Sequence, residues 1–378
     1  MIPGPTIVDP SVLRAMSRPT LSHASTEFAQ ILKESLEGLK KVMNTAGDVF
    51  AVAGSGTLAM EMGVANIIEP GDKVLVVSTG YFGDRFADVV SRYTSNVERY
   101  AVEWGKAPDA LMLGERLSKE RFKAAIVTHV DTSTGVVSNI EEISRVVKNS
   151  GSLFMVDTVC SLGGIEVRVD DWCIDVCISG SQKAIAVPPG IAIVSASEEA
   201  QKAYKQRKSK VTSYYMDFEN WLPIMRDTGK YFATPPVNMV YALHESLEMI
   251  LAEGLEKRYA RHKALAASFR AGCRKIGLRT VAEQGVEANT MTALHYPANI
   301  KDEEFRNMMA NKQNVQIAGG LGPLRGKAFR AGHMGCVNSN DVTVLMGAIE
   351  RSLLALGYGA SPGAGIAALT DALVKNGY

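Results

Sequence analysis

The chain has 378 residues, 46% of them hydrophobic, which is enough for a sizeable core. This length suggests two domains, or one large α/β domain plus a smaller one. Its 41 Lys and Arg residues almost balance its 40 Asp and Glu residues, so the formal net charge is +1. A charge this small gives no reason to expect a nucleic-acid or membrane-surface partner, and it favours a small, nearly neutral metabolite as the ligand.

The cysteines and the N-terminal residues indicate a cytoplasmic protein. The five cysteines are an odd number without a CxxC pair, which disfavours a disulfide framework and a zinc site and predicts a reducing compartment. The first ten residues, MIPGPTIVDP, have neither the basic nor the apolar region of a signal peptide. No stretch reaches about 18 uninterrupted apolar residues, so no membrane-spanning helix is predicted.

From residue 48 onwards, strand-type and helix-type segments alternate. The predicted strands are 48–54, 73–79, 97–103, 124–130, 152–157, 173–179 and 191–197, and the predicted helices between them are 57–68, 83–94, 107–117 and 140–150. The strands are short, β-branched and apolar on both faces. This alternation predicts a parallel sheet that is covered by helices on both sides.

The pattern changes after about Ser197. A charged helix is predicted over 198–210 and a long amphipathic helix pair over 241–277. Short strands over 291–297 and 314–320 precede a closing helix over 341–357, whereas the Gly/Ala-rich stretch 358–369 has no predicted place. This part of the chain is typical of a smaller α+β domain.

The turn AGSGT, which follows the first predicted strand, has the features of a phosphate-binding site. Gly54 and Gly56 permit a tight turn, Ser55 and Thr57 offer hydroxyl groups, and the helix that follows presents free N–H groups to an anion. The same stretch partly matches a dinucleotide-binding fingerprint, which leaves a nicotinamide-dependent dehydrogenase as an alternative. That fingerprint expects an acid at the end of the next strand, but this strand ends in Ser and Thr.

An acid and a lysine follow two later strands. Asp157 ends the strand 152–157, and Lys183 follows the strand 173–179 and a Gly-Ser-Gln turn. Taken separately, Asp157 could be the N-cap of a helix and Lys183 could be an ordinary surface lysine. Since ligands bind at the carboxyl ends of parallel strands, the two side chains together with the phosphate-binding turn suit pyridoxal 5′-phosphate. Phe82, just after another strand, could stack on its ring.

Several motifs resemble those of the class V, fold-type I aminotransferases, in particular the alanine–glyoxylate, serine–pyruvate and serine–glyoxylate enzymes. These motifs are IPGPT, AGSGTLAMEMG, THVDTSTGV, MVDTVCSLGG, SGSQKAIAVPPG, KYFATPPV and AGGLGPLRGKAFRAGHMG. The resemblance implies an α/β fold with a large domain, whose mostly parallel sheet lies between helices, and a smaller C-terminal α+β domain. We therefore predict an N-terminal segment lining the active site over 1–20, a large cofactor-binding domain over 21–255 and a small domain over 256–378.

The resemblance also implies roles for individual residues. Lys183 matches the lysine that forms a Schiff base with pyridoxal phosphate, and Asp157 matches the partner of its pyridine nitrogen. The other matching cofactor contacts are Ser55, Gly56, Thr57, Phe82, Thr132, Gln182, Tyr231 and Thr234. Tyr231 and Thr234 match residues that reach the phosphate from a neighbouring subunit, which implies a homodimer. Arg330 matches the arginine that binds the substrate carboxylate, and Gly4 matches a position that lines the substrate pocket.

We therefore expect ping-pong transamination between serine or alanine and glyoxylate or pyruvate. On the same fold, an aminoethylphosphonate–pyruvate aminotransferase and a cysteine desulfurase-like lyase are the alternatives. Desulfurases typically carry a histidine before the lysine and a reactive cysteine on a loop before the arginine. This chain instead has Gln182 before the lysine, and Cys336 follows Arg330.

Overall fold

The computed structural model describes all residues from 1 to 378. The strands are β1 Asp48–Gly54, β2 Val74–Ser78, β3 Val97–Ala101, β4 Ala124–Thr128, β5 Val130–Asp131, β6 Val136–Val137, β7 Leu153–Asp157, β8 Val176–Gly180, β9 Gly190–Ala196, β10 Met291–His295, β11 Ala318–Gly319 and β12 Ala328–Gly332. The helices are α1 Pro10–Met16, α2 Thr26–Met43, α3 Gly56–Ile67, α4 Tyr81–Val90, α5 Ala110–Lys119, α6 Ile140–Asn149, α7 Glu198–Lys205, α8 Phe218–Arg226, α9 Val237–Glu253, α10 Leu255–Lys275, α11 Asp302–Lys312, α12 Ser339–Ala355 and α13 Ala364–Lys375.

Seven strands form the central sheet in the order β1-β9-β8-β7-β4-β2-β3. The pairs among β8, β7, β4, β2 and β3 are parallel, whereas β9 runs antiparallel to both of its neighbours, β1 and β8. This confirms the mostly parallel α/β fold. Since β1 and β8 both run antiparallel to β9, β1 has the same direction as the parallel strands. Strands of the same direction end at the same edge of a sheet. The turn after β1, the acid at the end of β7 and the lysine after β8 therefore lie at one edge.

The helices begin and end where local side chains allow. In α6, Asn139 is the N-cap and its side chain accepts a hydrogen bond from the N–H of Glu142 at 3.3 Å. The long helix α2, for which the sequence analysis makes no prediction, begins after Ser25 and ends at Asn44 in a left-handed conformation with φ of 51°. It packs against α9, so tertiary contacts stabilise it.

The predicted charged helix 198–210 is shorter in the structure, where α7 ends at Lys205. The residues that follow are held in another conformation by groups at the end of α3. The N–H groups of Lys208 and Ser209 donate to Glu69 Oε1 at 2.9 and 2.8 Å, and Arg207 donates to the carbonyl of Ile68 at 3.0 Å. These contacts outweigh the helical preference of the basic residues.

Apolar side chains form two large cores. One contains 64 buried residues between Val12 and Ile250 around the central sheet, and the other contains 22 residues between Leu265 and Leu373 around the three-stranded sheet β10-β12-β11. A third cluster contains ten buried residues between Val130 and Met334. The domain boundaries given above stay a prediction.

The Gly/Ala-rich stretch leads into α13, which packs against α10. A Cβ atom on Gly272 would lie 2.7 Å from the carbonyl oxygen of Gly365, so the two helices approach closely because both positions lack a side chain. No helix of this structure combines the length and the apolarity that crossing a bilayer requires.

Candidate active site

Asp157 and Lys183 both lie at the carboxyl edge of the sheet. Asp157 is the last residue of β7, and Lys183 follows the end of β8 by three residues. Their exposed fractions are only 3% and 8%, and the charge of each acts on the other. The structure therefore brings together the two residues that the sequence singled out most strongly.

Burial changes the proton affinity of both groups. It raises the pKa of Asp157 to about 7, and the charge of nearby Asp131 acts in the same direction. The N–H of Val159, which donates to Asp157 Oδ1 at 2.8 Å, and the charge of Lys183 oppose this rise. Burial lowers the pKa of Lys183, which increases the fraction of uncharged amine available for reaction.

The N-terminal segment lies directly on Lys183. The side-chain Nζ of Lys183 donates to the carbonyl oxygen of Pro3, and the main-chain carbonyl oxygen of Lys183 accepts from Thr6 Oγ1 at 2.8 Å. A Cβ atom on Gly4 would lie 2.7 to 2.8 Å from the last three atoms of the lysine side chain. Gly4 therefore lies against Lys183, where only a residue without a side chain fits.

The N-terminus of α3 forms an open cradle beside this pair. Ser55, its N-cap residue, makes no side-chain hydrogen bond to the helix, and both Ser55 and Thr57 are exposed. The side-chain oxygen of Gln182 is buried nearby without a hydrogen-bond partner. A Cβ atom on Gly180 would lie 2.8 Å from that oxygen and 3.0 Å from the N–H nitrogen of Gly56. Free N–H groups and hydroxyls are the donors that a phosphate needs. The unpaired oxygen of Gln182 can only accept, so its side chain would contribute through the NH2 group of the same amide.

A third strand end adds Phe82 and Thr132. The carboxylate of Asp131 accepts hydrogen bonds from the N–H groups of Phe82 and Gly83 at 3.0 and 3.1 Å and so caps α4. This holds the half-buried Phe82 in the first turn of that helix. Thr132, which follows Asp131, is 4% exposed. Asp131 was not predicted from the sequence, although its position at a strand end beside Thr132 was the signal that could have identified it.

Arg330 reaches this edge from β12 of the smaller sheet. Its Nε donates to the carbonyl of Gly319 at 2.9 Å and its Nη1 to the carbonyl of Thr132 at 3.2 Å. The residue is 9% exposed and has no acidic partner within ion-pair distance. The charge of Asp131 acts on Arg330 without forming an ion pair with it. A buried guanidinium group without a direct ion pair is suited to binding a carboxylate through its free N–H groups.

Tyr231 and Thr234 do not join the cluster within one chain. Tyr231 is 62% exposed, and its hydroxyl lies 3.3 Å from Thr234 Oγ1. Its ring packs against that of His23 at a centroid distance of 4.8 Å, and no hydrogen bond connects either residue to Lys183, Asp157 or Gln182. Within one chain the structure therefore does not bring these two residues to the edge that carries Lys183, and their contact with the cofactor stays a prediction.

The family described as aminotransferase class-V matches residues 10–324. This chain belongs to the class-V aminotransferases. The family uses pyridoxal phosphate, and the buried lysine, the buried acid and the open N-terminus of α3 fit that cofactor.

Relatives cover almost the whole length of this class-V chain. An uncharacterized aminotransferase of Methanocaldococcus jannaschii is 42% identical and covers 95% of this chain and 93% of its own length. The soluble hydrogenase small subunit of Synechococcus sp. is 40% identical over 99% and 97% of the two chains. The serine–glyoxylate aminotransferase of Methylorubrum extorquens is 32% identical over 99% and 96%.

Among solved structures, the ureidoglycine–glyoxylate aminotransferase of Bacillus subtilis superposes with a TM-score of 0.93. It is 32% identical and covers 98% of this chain and 97% of its own. The fold-type I architecture predicted for this aminotransferase is therefore confirmed.

Proposed function

We propose that this aminotransferase moves an amino group from serine or alanine to glyoxylate or pyruvate. The observation that carries the proposal is Arg330, a buried cation without an acidic partner at the same edge as Lys183. One such arginine suits substrates with a single carboxylate. The relatives named above as serine–glyoxylate and ureidoglycine–glyoxylate aminotransferases share glyoxylate as a substrate.

In this proposal, different residues bind the two ends of the cofactor. The phosphate group would be held by Ser55, Gly56, Thr57 and Gln182, and Asp157 would pair with the pyridine nitrogen. When bound, pyridoxal phosphate supplies an electron sink for the negative charge that develops at the substrate α-carbon.

Lys183 takes the proton from that carbon and returns one in the reverse half-reaction. Its lowered pKa favours the uncharged amine that this task needs. Arg330 orients the substrate by its carboxylate, while Phe82 and Thr132 complete the binding surface. Gly4 leaves room for the lysine side chain to move.

The exposed Tyr231 and Thr234 support a homodimer in which each subunit completes the phosphate site of the other. Mixed dimers test this: a Lys183→Ala subunit combined with a Tyr231→Ala, Thr234→Ala subunit should recover activity, because one of the two sites then contains all native groups. Absence of recovery in verified mixed dimers would contradict the shared site. The cytoplasm stays our prediction for the compartment.

The alternatives receive less support. Cys336 is not placed as a desulfurase nucleophile, because its thiol donates to the carbonyl of Ile7 at 3.2 Å and burial raises its pKa. No group of three or more His, Cys, Asp or Glu side chains is arranged to hold a metal ion.

The decisive experiment is a matrix of donors and acceptors assayed for keto-acid formation, with the visible absorption of the bound cofactor as a second readout. Serine or alanine should alter the absorption band and glyoxylate or pyruvate should restore it, and Lys183→Ala should abolish the wild-type band. A band that responds to aminoethylphosphonate alone would favour the phosphonate enzyme, and no lysine-dependent band would refute the proposal.

A further inference from the structure

A buried arginine outside the proposed catalytic set holds together the segments that carry Lys183 and Asp157. Arg258, in the first turn of α10, is 5% exposed. Its Nη2 donates to the carbonyl of Ala184, the residue next to the lysine, at 2.7 Å. Its Nε donates at 2.6 Å to the carbonyl of Gly163, on the loop that follows β7. One planar guanidinium group therefore bridges both loops.

The same arginine is part of an ion-pair cluster that reaches the loop after Arg330. Arg258 Nη1 donates to Glu253 Oε2 at 2.8 Å, and Arg261 Nε donates to Glu253 Oε1 at 2.6 Å. Arg261 also donates to the carbonyls of Gly335 and Val337 at 3.1 and 2.7 Å. The cluster thus connects the cofactor edge of the large sheet to the chain that continues from β12.

This arrangement is costly in free energy. Burial lowers the pKa of Arg258, which shows that the charged form is partly desolvated, and the neighbouring Arg261 has the same effect. The positive end of the α10 dipole also disfavours a cation in its first turn. The Glu253 carboxylate and the two carbonyls offset these effects. A buried hydrophobic residue would fill the space without desolvating a charge, but it could not hold two carbonyls in a fixed geometry.

We propose that Arg258 is a positioning residue that sets the placement of Lys183 relative to Asp157, with Glu253 fixing its orientation. The proposal rests on the roles proposed above for Lys183 and Asp157. It requires no contact between Arg258 and the substrate or cofactor. Its three donors act on the backbone of the two loops and on Glu253.

The test compares Arg258→Lys with Arg270→Lys. Arg270 is a matched control because it lies on the same helix, is 7% exposed and donates to a backbone carbonyl, that of Ala288, at 2.7 Å. A lysine keeps the charge in both variants but cannot reproduce the planar fork. The measurements are thermal unfolding of the cofactor-free protein, kcat and KM, and the pH midpoint of the visible band of the cofactor-bound protein, which reports the proton at the Lys183 nitrogen.

Arg258→Lys should lower kcat about 10- to 100-fold with little change in KM, because the Lys183 amine is misplaced while Arg330 is intact. It should also shift the pH midpoint of the band by at least about half a unit. Arg270→Lys should lower the unfolding temperature but leave kcat and the midpoint at wild-type values. Equal kcat and equal midpoints in the two variants would overturn the proposal.

Glu253→Gln provides a second variant if Arg258→Lys does not fold. It keeps every arginine and removes the charge that orients Arg258, so it should lower kcat and shift the midpoint in the same direction. A folded Glu253→Gln protein with the wild-type midpoint and kcat would contradict the proposal. Lys183→Ala distinguishes failure of the proposed function from failure of the Arg258 proposal. Loss of the visible band in Lys183→Ala supports the proposed function whatever Arg258→Lys does. A wild-type band in Lys183→Ala refutes the proposed function itself.

Discussion

Gly4→Ala should impair the reaction by displacing Lys183. The new Cβ atom would lie 2.7 to 2.8 Å from Cδ, Cε and Nζ of the lysine, whereas ordinary contacts begin at 3.4 Å. The amine must therefore move by about 0.6 Å, the difference between 3.4 and 2.8 Å. Since a misplacement of about 1 Å can reduce a rate about 100-fold, we expect kcat/KM to fall about 10- to 100-fold. This corresponds to about 1.4 to 2.8 kcal/mol in the activation free energy.

The effect of the contact with Lys183 must be distinguished from the effect of backbone strain. Gly4 has a φ of +124°, so any side chain there also costs about 1 to 2 kcal/mol in stability. Gly71 provides the control. Its φ is +91°, but nothing lies within 4 Å of the position that a Cβ atom would take. Gly71→Ala should therefore lower the unfolding temperature without changing kcat/KM.

The assay is steady-state transamination of both variants, with unfolding curves to establish that each is folded at the assay temperature. The reasoning is refuted if folded Gly4→Ala keeps the wild-type kcat/KM, or if Gly71→Ala loses as much activity as Gly4→Ala does.

Three further predictions concern the remaining groups of the site. Arg330→Lys should raise KM for the amino donor about 10-fold or more with a smaller change in kcat, because a lysine cannot bind the carboxylate through two parallel hydrogen bonds; an unchanged KM in steady-state assays would contradict this. Gln182→Ala should weaken cofactor binding about 5- to 100-fold, measured by titrating the cofactor-free protein, and equal affinity would remove Gln182 from the phosphate site. Burial raises the pKa of Asp157 from its usual 3.8 to about 7 in the folded protein. The protonated acid therefore contributes to the stability of the cofactor-free protein below about pH 4, and this contribution is lost as the pH rises through about 7. Asp157→Asn should therefore become more stable than wild type in urea unfolding as the pH rises from about 5 to about 7, and identical pH slopes would show that the acid is not desolvated.

Local pattern was a reliable guide in the first half of the chain because the strands there are buried on both faces and the helices have clear ends. The strand 48–54 and the helix after Asn139 were predicted correctly for this reason. No prediction was made for α2, an amphipathic helix that packs against α9, about 200 residues away. Local pattern failed at the end of α7, where Glu69 binds the N–H groups of Lys208 and Ser209.

The amino-acid sequence by itself determined which residue types stand at the ends of the strands. Asp157, Lys183 and the AGSGT turn could be identified from it because parallel strands bring their carboxyl ends to one edge, whatever the details of packing. Tertiary structure alone decided how strongly those groups are perturbed and what surrounds them. The raised pKa of Asp157, the carbonyl of Pro3 on Lys183 and the bridge made by Arg258 all arise from contacts between distant parts of the chain. Burial and backbone carbonyls leave no local pattern in a sequence, because any residue can supply a carbonyl and only the folded chain determines which groups lose their water.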